Sequence, residues 1–170
     1  MATTMRTAAI PVRPLAADAY EVLLATAATI LLAAVAIALG RGHAHWAEVP
    51  AIVWTHIGTV IVALALTPVI LLGRRGDRRH RTLGVIWVTA MLLMAALSLG
   101  IHLIDPGRFS LIHILSVWTL IQVPILWHSA RTHRLVRHRR AVLGLVTGAL
   151  LIAGFFTFPF DRLLGHWLFG

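Results

Sequence analysis

Ten histidines stand in a chain that has no cysteine, so transition-metal or redox chemistry here must rely on imidazole rather than thiolate. Four of the ten recur with a period: His56 precedes His80 by 24 residues, and His113 precedes His138 by 25. Each interval holds one proline at a similar offset, Pro68 or Pro124, followed by an Arg-rich turn. The second His of each pair opens a related string, His80-Arg81-Thr82-Leu83-Gly84 in one case and His138-Arg139-Arg140 with Leu143-Gly144 in the other. These are the marks of a duplicated helical hairpin. Because each copy contains two spans, both point the same way and are related by an axis along the membrane normal.

The elements that must carry these rings are apolar. Of 170 residues 59% are apolar and 12% charged, and the mean hydropathy is +0.86. A water-soluble domain carries about twice that share of charge, so an ordinary soluble fold is excluded. Five apolar stretches are long enough to cross a membrane as helices, at residues 21–39, 51–72, 82–104, 109–127 and 141–160. Continuous runs of this length exclude a β-barrel, and the first is longer than the core of a secretory signal and lacks a clear cleavage site, so it reads as a retained helix. The expected fold is all-α: an integral-membrane bundle of five transmembrane helices. A core four-helix bundle comes from the two repeated hairpins, and the first helix is peripheral. Residues 1–20 form an N-terminal segment and 21–170 a single transmembrane domain.

All 15 basic residues are Arg, and their placement sets the orientation. Arg6 and Arg13, the cluster Arg74 to Arg81 and the cluster Arg131 to Arg140 fall on one side, leaving Arg41, Arg108 and Arg162 on the other. By the positive-inside rule the N-terminus is cytoplasmic and the C-terminus outside, in a bacterial plasma membrane. Arg in short bursts between spans is also unlike the single basic face of a nucleic-acid binder.

In an up-down bundle, helices 2 and 4 face each other diagonally, as do helices 3 and 5. This expects His56 with His113 about a turn inside the outer surface, and His80 with His138 near the cytoplasmic ends. The two levels lie roughly 22 Å apart at the helical rise. Imidazole is a good axial ligand for haem iron, so two bis-His haem b sites are expected, with Gly58, Thr59, Gly84, Gly144 and Gly148 making room. Arg81, Arg139 and Arg140 would meet the propionates of the inner haem. A second chemistry uses the same rings: His102 ends helix 3 in the layer of His56 and His113, and three imidazoles can hold zinc or copper. A third reading is a cofactor-free accessory protein, in which His80 and His138 are solvated and His56 or His113 bonds a backbone carbonyl or Ser116. Asp77 is expected to cap helix 3.

The stretch Arg108-Phe109-Ser110-Leu111-Ile112-His113-Ile114-Leu115-Ser116, the string from His80 to Gly84, and the tail from His138-Arg139-Arg140 through Ala153-Gly154 to Phe158-Pro159-Phe160-Asp161-Arg162 resemble a bacterial predicted-membrane-protein family, domain of unknown function number twenty-three-oh-six. The likeness covers helices 2 to 5 and implies no established activity. In architecture the His layout is similar to the transmembrane di-haem cytochromes of the b-five-sixty-one type. That resemblance implies one haem between the second and fourth spans, at His56 and His113, and another between the third and fifth, at His80 and His138. The function expected is transmembrane electron transfer in a lipid environment, with a redox donor and acceptor as partners, a possible homo-oligomer and no nucleic acid. Nothing in the chain matches a nucleophile elbow or phosphate loop.

Overall fold

The computed structural model describes residues 17–104, 111–159 and 162–170, and for residues 102–104, 111 and 112 it describes the backbone alone. Expectations placed on Arg6, Arg13, Arg108, Asp161 and the side chain of His102 therefore lie outside the described residues.

The described chain is all-helical, without a strand. The helices are α1 (Ala19–Arg41), α2 (Ala51–Leu72), α3 (Arg78–Ile104), α4 (Leu111–Arg131), α5 (Leu135–Phe155) and the short α6 (Leu163–Phe169), with a 3-10 turn at His43–Glu48. Within α5, Val146–Ile152 adopts π geometry. Among the described residues, four helices are long and apolar enough to cross a membrane: α1, α2, α3 as far as Ile101, and α5. The fifth expected span is α4, which is not among those four. Between 22% and 33% of each qualifying span is buried within the chain, so most of their apolar surface, including Leu23, Ile30 and Leu93, needs lipid or a partner to cover it.

Helix starts differ from the apolar boundaries. The third helix begins at Arg78 rather than 82, and the fifth at Leu135 rather than 141. A span boundary marks where hydrocarbon ends, whereas a helix continues through Arg, a good helix former. The left-handed positions Gly76 (φ 77°) and His133 (φ 55°) make the breaks instead. Asp77 caps α3 as expected, its carboxylate accepting from the His80 backbone N–H at 2.7 Å. At its other end α5 stops at Phe155, ahead of the expected 160. The chain turns through Thr157 and Phe158, next to Pro159, which disfavours helical geometry in the residue before it. Helices α2 and α4 run through Pro68 and Pro124 without interruption.

Each helix from α1 to α5 packs on the next, and the π segment of α5 packs back on both α1 and α2. Helix α1 therefore closes the ring as one of its walls, a correction to its expected peripheral place. Its inner stripe of Leu24, Ala25, Ala28, Val35 and Ala38 is buried; small residues at such positions let backbones approach closely where no hydrophobic drive exists between helices in lipid. Thr67 on α2 is fully buried and accepts the Trp87 indole N–H from α3 at 3.0 Å, which satisfies a donor that hydrocarbon could not.

Helix α6 folds back onto α1. Two glycines permit this. A Cβ at Gly42 would fall within the Trp167 ring, and one at Gly165 would stand 1.7 Å from the Phe158 carbonyl oxygen. The second obstacle is backbone and cannot rotate away. Gly165→Ala is expected to push α6 away from the Phe158 turn at a cost of about 1–3 kcal/mol and to red-shift Trp167 emission. An unchanged spectrum and unchanged thermal midpoint would disprove the close approach.

Candidate functional site

The Arg-rich turns and the start of α1 meet at one end of the bundle, here the basic end. Asp18 and Glu21 form a capping box: each carboxylate accepts the other residue's backbone N–H. Glu21 is 2% exposed. Its two oxygens also accept from the Arg75 guanidinium, in the turn between α2 and α3, and from Arg139 Nε on α5 at 2.9 Å. Arg139 additionally bonds the Asp18 carboxylate. The Glu21 N–H, followed by the Arg139 guanidinium, holds the Asp18 carboxyl below its ordinary value. Sequence reasoning passed over this network, although its signal, Asp-x-x-Glu ahead of an apolar run, was present.

Beside the network lie His80 and His138. Each sits in the first turn of its helix, on α3 and α5, and both helices pack on α4. Neither ring is fully solvated, both being half-buried. The Nδ1 of His138 is buried without a hydrogen-bond partner. A buried imidazole nitrogen with no hydrogen-bond partner keeps its lone pair or its N–H unmatched, and metal ligation is one way to satisfy it. The donor chemistry at the basic end thus fits haem iron. Of the expected propionate partners, Arg81 is exposed and donates to the Gly76 carbonyl at 2.7 Å, Arg140 is exposed, and Arg139 is committed to Glu21 and Asp18.

The second layer is nearer the opposite end. His56 donates from Nδ1 to the Met94 carbonyl oxygen, 3.0 Å away on α3. His113 is buried on α4. Ser116, one turn further along, donates to Ser98 at 3.1 Å. A cavity of about 90 Å³ lies here, walled by all five long helices, with His56, Ser98, Ser116, Thr119 and Thr157 among its lining and the π segment of α5 along one side. Small-molecule pockets run to about 300–1,000 Å³. This space takes waters or a small ion and does not fit a porphyrin.

The glycines expected to admit a flat cofactor have other neighbours. A Cβ at Gly144 or Gly148 would meet the Trp118 ring, at 3.7 and 3.3 Å. The flat group against this Gly-x-x-x-Gly face is the chain's own indole. Gly58 is exposed on the outside of α2, and Gly84 faces open space. Among the described residues, no three His, Asp or Glu side chains gather as a metal-ligand group.

No protein-family model, curated protein or solved structure matches this chain. Its own geometry must therefore carry the functional reading.

Proposed function

We propose that the chain is a small integral-membrane protein of the b-type cytochrome kind, with five spans, a cytoplasmic N-terminus and one haem b held between His80 and His138. The observation that carries this reading is the buried Nδ1 of His138, which has no hydrogen-bond partner, on a helix that packs on α4 as the helix of His80 does. Bound there, haem supplies one-electron chemistry, and the protein sets its potential through ligation, burial and charge. Arg81 and Arg140 stand exposed beside the two His for the propionates, and guanidinium matches carboxylate geometry. Arg139 instead anchors the start of α5 to α1 through Glu21, which keeps His138 in register with His80. Electron donor and acceptor would approach from the basic end, where Arg74, Arg78 and Arg79 are exposed and attract acidic partners.

The test is a spectrum of the full chain purified in mild detergent. A Soret band with sharp α and β bands after dithionite, at about one haem per chain, is the expected result. A colourless preparation that cannot be reconstituted with hemin overturns the proposal.

A second reading is favoured by the size of the inner cavity: zinc or copper at the layer of His56 and His113, with His102 as the third expected ligand. A space of about 90 Å³ with His56 in its lining suits an ion better than a macrocycle. Stoichiometric zinc or copper that is lost in His56→Ala would establish it.

A further inference from the structure

Between Asp105 and Asp161 the sequence holds no acid, yet the turn that joins α4 to α5 and its flanks carry Arg131, Arg134, Arg137, Arg139 and Arg140. Arg139 is neutralised by Glu21 and Asp18. Arg131, Arg134 and Arg137 are exposed and, among the described residues, form no ion pair. Their charge is uncompensated within the chain.

The turn that holds them is ordered by its own backbone. His133 takes the left-handed conformation at φ 55°, and the paired bonds of a Schellman ending follow: the His133 N–H donates to the Ala130 carbonyl at 3.3 Å and the Arg134 N–H to the Ser129 carbonyl at 3.0 Å. Ser129 is buried, its hydroxyl donating to the Leu126 carbonyl at 2.8 Å. Arg131 and Arg134 therefore leave a fixed scaffold, and a ligand that bridges them need not order the chain.

Apolar side chains stand among these cations. Leu135 and Val136 open α5 at 66% and 68% exposure; among the described large apolar residues only Phe169 is more exposed. One turn before the end of α4, Trp127 is partly exposed and carries the Arg131 guanidinium 5.8 Å over its ring. Indole at the end of an apolar helix belongs to the level of lipid headgroups, and guanidinium matches the geometry of phosphate. A free anion or a nucleic-acid backbone would satisfy the Arg side chains and leave Leu135 and Val136 in water. An anionic leaflet takes both, with phosphate on the cations and acyl carbons around the aliphatic groups.

We propose that the α4–α5 turn binds anionic phospholipid, with phosphate on Arg131, Arg134 and Arg137 and with Leu135 and Val136 set among the upper acyl carbons. The surface uses neither His80 nor His138 and stands whether or not haem is bound.

Native mass spectrometry of the delipidated full chain in detergent, titrated with phosphatidylglycerol, phosphatidylcholine or inorganic phosphate, tests it. Phosphatidylglycerol should bind at least about tenfold more tightly than phosphatidylcholine, each Arg near an anionic headgroup contributing about fivefold. Arg131→Gln, Arg134→Gln and Arg137→Gln combined should abolish that preference. Leu135→Ser with Val136→Ser should instead weaken both lipids alike, by about tenfold, and keep the preference. Arg162→Gln, an exposed Arg outside this turn, should change neither. Should the triple variant fail to fold because Arg131 has left the Trp127 ring, Arg134→Gln with Arg137→Gln decides. Equal affinity for the two lipids in the parent chain, full preference in the folded Arg variant, or unchanged lipid affinity in the Leu135 and Val136 variant overturns the proposal. So does displacement of phosphatidylglycerol by equimolar inorganic phosphate, which would make this a site for the free anion.

Discussion

Glu21→Ala is expected to destabilise the folded bundle by about 3 kcal/mol, the low end for breaking a buried ion pair. The carboxylate is 2% exposed, and its removal leaves the Arg75 and Arg139 guanidinium groups facing one another across an empty space. Those two side chains are themselves 23% and 38% exposed, so water softens the repulsion and the larger losses seen for fully enclosed pairs are not reached. Three separate parts of the chain are tied at this point: the start of α1, the turn before α3 and the start of α5. Glu21→Gln keeps the shape and one acceptor and should lose less. Reversible unfolding of the full chain in mixed micelles measures both variants; a loss below about 1 kcal/mol for Glu21→Ala, the size of a surface pair, would show that the network is held open by solvent.

The same network makes stability depend on acid. The Glu21 backbone N–H and the Arg139 guanidinium hold the Asp18 carboxyl below its ordinary value of 3.8. A depressed folded-state value means that the contribution is complete above 3.8 and fades as pH falls through the folded value. The thermal midpoint should therefore drop more steeply below pH 4 in the parent chain than in Asp18→Asn. Parallel curves would contradict the linkage.

The second large effect concerns the cofactor. If His80 and His138 are the axial pair, His138→Ala should eliminate the reduced α band and the haem stoichiometry together, because one remaining imidazole cannot hold a six-coordinate iron against solvent at a half-exposed site. His80→Ala should do the same. His138→Met retains a ligand of the kind that raises haem potential, so partial haem content with a more positive midpoint is expected. His128→Ala, an exposed ring in the same basic region, is the control and should keep full content. His56→Ala is informative in the opposite sense: with a cavity of only about 90 Å³ beside it, its loss should leave the haem count unchanged. Full haem in both His80→Ala and His138→Ala would end the assignment.

How the two His layers differ explains why the site was only partly legible. The repeat placed His80 and His138 at equivalent points of two hairpins, and each ring lies in the first turn of its helix. Spacing along the chain could not say what fills the gap between helices. At Gly144 and Gly148 the occupant is Trp118, a residue whose rotamer depends on its neighbours and not on its own local sequence. Arg139 was equally ambiguous. Read beside His138 it is a propionate partner; in the folded chain its guanidinium is taken by two acids more than a hundred residues away.

What the amino-acid sequence determined by itself is what depends on local energetics. Apolar runs longer than a bilayer core with no capacity for alternation must be helices, Asp77 must cap the third of them, and ten His without Cys confine ligand chemistry to imidazole. What only the tertiary structure decided is which surfaces meet: α1 as a wall of the ring, α6 folded back over Gly42, a carboxylate shared between two Arg, and a cavity too small for a macrocycle. Lipid solvates every apolar face of a helix equally well, so hydrophobic pattern loses its power to tell inside from outside. The choice passes to small residues, hydrogen bonds and shape, which are properties of pairs of helices and are written in no single stretch of chain.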